Sequence, residues 1–125
     1  YGAIADYPHS ANRQVCLMVQ AESAAAVANI DAIAATDGVD CVFVGPADLS
    51  ADMGYPGQPD HPEVEAAIDH LIARTLAAGK IAGIITFDRS RFVEYAEKGV
   101  TFLGLGGDMV VLRQALEQLL KTAKN

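Results

Sequence analysis

Tryptophan is absent from this 125-residue sequence, cysteine occurs twice and histidine three times. Two cysteines cannot build the disulfide framework of a small secreted domain. Cys16 and Cys41 each sit inside an apolar run, so both read as reduced core residues in a cytoplasmic protein. Basic residues are also scarce, nine Lys and Arg against sixteen Asp and Glu, for a net charge of -7. Such a surface repels phosphate backbones, so no nucleic acid is expected as a partner. No apolar run approaches the ~18 residues of a membrane span, so no membrane association is expected. The N-terminus lacks the basic stretch and apolar core of a signal peptide. The first residue is Tyr1 and not Met, from which we expect a piece of a longer chain. His9, His61 and His70 are scattered without helical pairing and read as surface residues, which argues against a zinc site.

What the sequence does contain is four apolar runs of strand length alternating with four helical patterns. The strand-like runs are Val15 to Gln20, Cys41 to Val44, Ile81 to Thr86 and Thr101 to Leu105. They are continuous and not alternating, as parallel strands are when both faces are covered. The helical patterns are Ser23 to Ala35, Pro62 to Ala78, Arg89 to Lys98, and Asp108 toward Lys121. Val64, Ala67, Ile68, Leu71, Ile72 and Leu76 recur at three- and four-residue steps, so one face of the second helix is buried. Pro62 suits a first helical turn, and Gly79 the position just past a helix end. Gly45 to Asp60 reads as a polar loop. Strand–helix alternation implies βαβ units in one α/β domain over residues 1–125. A small doubly wound sheet and half of a (β/α)8 barrel both accept four such units, and a full barrel needs roughly 250 residues.

In either architecture, ligands bind at the C-terminal strand ends. Along the first strand, alternation places Met18, Gln20 and Glu22 on one face and Leu17 and Val19 on the other. The plainer alternative for Glu22 is an acid in the first turn of a helix, favoured by the dipole. Beyond the second strand, Gly45 lets a ligand approach the backbone and Pro46 stiffens the turn. Asp48 follows; alone it also reads as an Asx-turn or cap residue. Together, Glu22 and Asp48 make a hard-oxygen pair suited to Mg²⁺ or Mn²⁺, with positions left for water and substrate. Lys80, Lys98, Lys121 and Lys124 lie outside the strand interiors, so a Schiff-base lysine is not indicated. The Gly104–Asp108 run matches a dinucleotide loop only loosely and reads as a tight turn.

The motifs Val19-Gln20-Ala21-Glu22, Gly38-Val39-Asp40 and Val44-Gly45-Pro46-Ala47-Asp48-Leu49-Ser50 resemble the HpcH/HpaI aldolase family. Met53-Gly54-Tyr55-Pro56, His61-Pro62-Glu63-Val64, Ala78-Gly79-Lys80 and Gly104-Leu105-Gly106-Gly107-Asp108 are similar too. The resemblance implies the C-terminal half of a (β/α)8 TIM barrel, strands five to eight. It implies a class II aldolase that cleaves a 4-hydroxy-2-oxo acid to pyruvate and an aldehyde. A divalent metal (Mg²⁺ or Mn²⁺, with Co²⁺ an option) would stabilise the pyruvate enolate. By the same resemblance Glu22 and Asp48 would be metal ligands and Gln20 would hydrogen-bond the 2-oxo acid. The backbone at Gly45, Pro46 and Ala47 would hold its carboxylate, and Ile85 would line the pocket. The family's acid–base pair and substrate arginine belong to the other half of the barrel, so no catalytic base is assignable and this chain alone is expected to be inactive. Full-length relatives would be homo-oligomers, hexamers of dimers exchanging the last helix. Met109, Leu112, Leu116 and Leu119 suit that role or ordinary core packing. The alternatives are a citramalyl-CoA or malyl-CoA lyase of the wider superfamily, and a non-catalytic flavodoxin-like binding module with helices on both sheet faces.

Overall fold

The computed structural model describes residues 3–124. A short helix α1 (Tyr7–Ser10) and a 3-10 turn (Ala11–Arg13) lead into β1 (Met18–Ala21). Helices α2 (Ala24–Ala28) and α3 (Ile30–Ala35) connect it to β2 (Cys41–Val44). After β2 come α4 (Pro46–Asp52) and the long α5 (Pro62–Ala77), then β3 (Ile81–Ile85). A 3-10 turn (Arg89–Arg91), α6 (Phe92–Glu97), β4 (Phe102–Gly104) and α7 (Asp108–Ala123) complete the described chain.

The four strands form one parallel sheet in the order β1-β2-β3-β4. Each strand therefore lies beside its predecessor, whereas a doubly wound sheet reverses its order at a switch point. Side-chain alternation sorts the sheet into two unlike faces. Ala21, Val42, Val44, Ala82 and Ile84 are buried toward the helices, in a core shared with Ile30, Ala34, Ile68, Leu71 and Ile72. The opposite face leaves Met18, Ile81 and Phe102 exposed at 43%, 42% and 46%. On that face Phe43, Gly83 and Phe102 stand in register. The two rings meet edge to face, 5.9 Å between centroids, a favourable aromatic geometry. A Cβ at Gly83 would lie 2.7 Å from Phe43 Cδ2 and 3.3 Å from Phe102 Cδ1. The missing side chain is what lets the rings close over β3.

Helix α5 forms as its pattern predicts. His61 caps it, its Nδ1 accepting from the Glu63 N–H at 3.3 Å, and Pro62 begins it. Gly79 follows with φ +71, the left-handed conformation that favours glycine at a helix end. One expected member of its buried stripe differs: Thr75 is buried, while Leu76 is 36% exposed and packs over Gly99.

Other expectations need correction. The span read as a single helix from Ser23 to Ala35 breaks at Asn29, whose side chain donates to the Ala25 carbonyl at 2.8 Å, a local bond that competes with the helix ladder. The loop expected over Gly45 to Asp60 begins with α4. Strand β1 starts later than Val15, and Val15 and Leu17 are exposed at 56% and 49%, so Leu17 does not face a covering helix. Cys16 is exposed and not a core residue; only Cys41 is buried, and burial pushes its thiol up. No residue of α7 is buried, and Met109, Leu112, Leu116 and Leu119 are exposed. Core packing within the described residues therefore does not account for that stripe.

This partition sets unequal costs for truncation. Leu71→Ala, at a fully buried site, should cost about 2–5 kcal/mol. Leu116→Ala, on the exposed side of α7, should change stability by less than about 0.5 kcal/mol. Urea unfolding of the two variants checks the difference.

Candidate functional site

The last β1–β2 partners are Ala21 and Val44, so the residues that leave the two strands, Glu22 and Gly45, emerge side by side. Beyond β1, Ser23 caps α2, its hydroxyl accepting from the Ala26 N–H at 3.2 Å. Glu22 thus precedes the helix and is not an acid of its first turn. Beyond β2 the chain enters α4 directly, with Pro46 in its first turn and Asp48 the third helical residue. The Leu49 N–H bonds the Gly45 carbonyl at 2.9 Å. The N–H groups of Ala47 and Asp48, inside the first turn, have no partner within the helix, and Pro46 has none to offer.

Glu22 and Asp48 converge. A Cβ built on Gly45 would sit 2.9 Å from Glu22 Oε2 and 3.9 Å from Asp48 Oδ2. The two oxygens therefore border one small space beside Gly45. The same Cβ would lie 3.3 Å from the Glu22 Cβ. Gly45 has φ -104, which any residue adopts, so glycine is needed there for room and not for backbone freedom. Gln20 joins the pair: its amide Nε2 donates to Glu22 Oε2 at 3.0 Å. Two carboxylates with an amide beside them form a donor set suited to a hard divalent cation, with coordination positions left open.

Next to this space lies a cavity of about 370 Å³. Pro46, Ala47 and Ile85 all line it, together with Thr86, Asp88 and Tyr95. Gln20, Glu22 and Asp48 are not among its described lining residues, so the carboxylate pair adjoins the cavity without forming its wall. Arg91 also lines it but is already taken. It forms a paired contact with Glu65, one arm at 2.6 Å, and reaches Glu94 at 3.0 Å. Its guanidinium lies 4.7 Å from the centre of the Tyr95 ring. Lys98 extends the network to Glu94 at 2.6 Å and Asp69 at 2.7 Å. Burial pushes the Tyr95 hydroxyl up to about 12.

Two features escaped sequence reasoning. Asp52, at the end of α4, accepts a hydrogen bond from the Ala24 N–H at 2.8 Å through Oδ2. The four-residue spacing of Asp48 and Asp52 would have marked both as one helix face, but the segment read as a loop. The Arg91–Glu65–Glu94–Lys98 network joins α5 and α6, whose relative placement no local pattern encodes.

Comparison with known proteins gives a consistent result. The family model described as HpcH/HpaI aldolase/citrate lyase matches residues 3–115. Over 119 residues the chain is 49% identical to the hydroxypyruvate/pyruvate aldolase of Agrobacterium fabrum, covering 95% of this chain and 45% of that protein. Over 124 residues it is 44% identical to the 5-keto-4-deoxy-D-glucarate aldolase of Shigella boydii, covering 99% and 48%. It superposes with a TM-score of 0.91 and 40% identity on the crystal structure of an HpcH/HpaI aldolase/citrate lyase family protein from Burkholderia cenocepacia J2315, covering all of this chain and 49% of that one. The chain spans about half the length of the curated relatives it matches.

The network beside the cavity carries a pH signature. Hydrogen bonds from Arg91 and Lys98 hold Glu94 at about 2, below its ordinary 4.5. A carboxylate with a lowered folded value stabilises fully above its unfolded value and loses that contribution as pH falls. Stability from this group should therefore disappear between about pH 4.5 and pH 2. Arg91→Met should flatten that limb of the acid-unfolding curve, followed by circular dichroism.

Proposed function

The chain belongs to the HpcH/HpaI aldolase/citrate lyase family, and from that membership we propose that it forms the C-terminal half of a (β/α)8 barrel in a metal-dependent class II aldolase. The substrate would be a 4-hydroxy-2-oxo acid, cleaved to pyruvate and an aldehyde. The single observation that carries this reading is the convergence of Glu22 Oε2 and Asp48 Oδ2 on the space beside Gly45.

In this reading Glu22 and Asp48 hold a divalent ion, Mg²⁺ or Mn²⁺ or Co²⁺. When bound, the ion supplies Lewis acidity toward the oxygens of the 2-oxo acid. Gln20 has two tasks. Its amide already orients the Glu22 carboxylate, and its position at the same strand end lets it meet the 2-oxo acid. The N–H groups of Ala47 and Asp48, unpaired within the helix, would serve as donors to a substrate carboxylate, and Pro46 keeps that turn stiff. Ile85, at the C-terminal end of β3, gives the pyruvate methyl an apolar surface. The sequential strand order supports the barrel: four parallel strands with helices on one face make an arc that four more strands would close. The exposed sheet face with Met18, Ile81 and Phe102 is then the barrel interior, covered by the other half. The apolar stripe of α7 packs against a further subunit of a homo-oligomer.

Acid–base chemistry, in this reading, belongs to that other half. The 125-residue chain alone with Mg²⁺ should give no turnover of a 4-hydroxy-2-oxo acid; pyruvate release above the uncatalysed rate, read with lactate dehydrogenase, would show the division to be wrong. Metal binding is the direct test of the half in hand. Titration calorimetry should show Mn²⁺ uptake that pyruvate tightens. Glu22→Gln should abolish it. Gly45→Ala, which crowds Glu22 without removing a ligand, should weaken it about 10–100-fold, as supporting groups around metal ligands do. Equal Mn²⁺ affinity in the Glu22→Gln protein would overturn the assignment.

A further inference from the structure

The two carboxylates of the proposed metal pair come from separate pieces of chain, and backbone pairing does not hold them together. The β1–β2 ladder ends at Ala21 and Val44. One long contact follows, from the Gly45 N–H to the Ala21 carbonyl at 3.4 Å. Past that point Glu22 moves with the start of α2 and Asp48 with α4. A hard cation with short oxygen bonds tolerates little error in the spacing of its ligands.

One side chain spans the gap. Asp52 lies one helical turn beyond Asp48, on the same face of α4. Its Oδ2 accepts from the N–H of Ala24 at 2.8 Å, and Ala24 is the first residue of α2, two positions after Glu22. That N–H is one of the donors a helix start leaves unpaired, and Ser23 Oγ takes a different one, from Ala26. Asp52 thus ties α4 directly to the junction that carries Glu22. It does not act as a third ligand: its Oδ2 faces a backbone donor, and no group of three His, Cys, Asp or Glu side chains suited to a metal occurs among the described residues.

We propose that Asp52 is a positioning residue, a clamp between α4 and the β1–α2 junction that sets the spacing of Glu22 and Asp48. The proposal rests on the metal-pair reading above and adds to it a residue that touches neither ion nor substrate. The interaction needs an acceptor oxygen at this reach and does not need a charge. That separates it from a ligand role and from general helix capping.

The test is Mn²⁺ titration calorimetry on the 125-residue chain, with circular dichroism to establish folding. Asp52→Ala should raise the Mn²⁺ Kd about 10–100-fold. Asp52→Asn keeps an amide oxygen in place and should stay within about threefold of wild type, by the small effect expected where an acceptor is conserved. Ser23→Ala removes the other side-chain bond to the start of α2 and should leave the Kd unchanged. If Asp52→Ala does not fold, Asp52→Ser, too short to reach Ala24, takes its place. The Ala24 amide should be protected from hydrogen exchange in wild type and in Asp52→Asn, and lose protection in Asp52→Ala. Wild-type affinity in Asp52→Ala overturns the clamp alone. Equal losses in Asp52→Asn and Asp52→Ala mean that charge matters, and overturn it in favour of a ligand role. A loss in Ser23→Ala matching that of Asp52→Ala reduces it to helix capping. A wild-type chain that takes up no Mn²⁺ overturns the metal reading, and the proposal with it.

Discussion

The register of β1 against β2 is the constraint on which the candidate site depends. Pairing Met18 with Cys41 carries through to Ala21 beside Val44, and from there the two chains leave the sheet at one level. A slip of one residue would turn Glu22 to the helix side, because strand side chains alternate. The register is held by the buried face: Ala21, Val42 and Val44 fill the core under α3 and α5, and none has a polar alternative. Asp40 adds a tie at the start of the ladder, accepting from the Leu17 N–H at 2.8 Å. The hydrophobic core therefore does more than stabilise the sheet. It determines which side chains arrive together at its rim.

What was legible in the sequence follows from the range of the forces involved. The cores of all four strands and the whole of α5 came from local patterns, since burial periodicity, Pro62 and Gly79 act within a few residues. Glu22 and Asp48 were legible as a pair because parallel strands deliver their ends to one edge, and the family resemblance named the same two. The miss at α4 has a physical reason. Gly45-Pro46 opens a helix of only seven residues, with Ser50 turned inward, its hydroxyl bonding the Ala47 carbonyl at 2.8 Å, so no apolar period stands out. Asn29 breaks the first helix by a side-chain bond, and Cys16 lies outside the core because β1 begins two residues beyond it. These outcomes depend on tertiary placement, which no single window of sequence contains.

The two faces of the sheet differ in what they complete. The helix side has a closed core with fully buried Leu71, Ile68 and Ile84. The opposite side presents Phe43 and Phe102 with partly exposed Met18 and Ile81 around them, a surface that resembles an interior cut open. The stripe of α7 is likewise bare, with Met109, Leu112, Leu116 and Leu119 exposed. The chain also spans about half the length of the relatives it matches.

The empty position at Gly45 has a consequence for anyone seeking to redesign this molecule. Mutational screens score residues by what their atoms touch, and residue 45 touches nothing with a side chain. Its value is a reserved volume: the smallest change available, the gain of one methyl group, would press against Glu22 Oε2 at 2.9 Å. A library aimed at the cavity would do best to vary its wall around Thr86 and leave this hydrogen-only site alone.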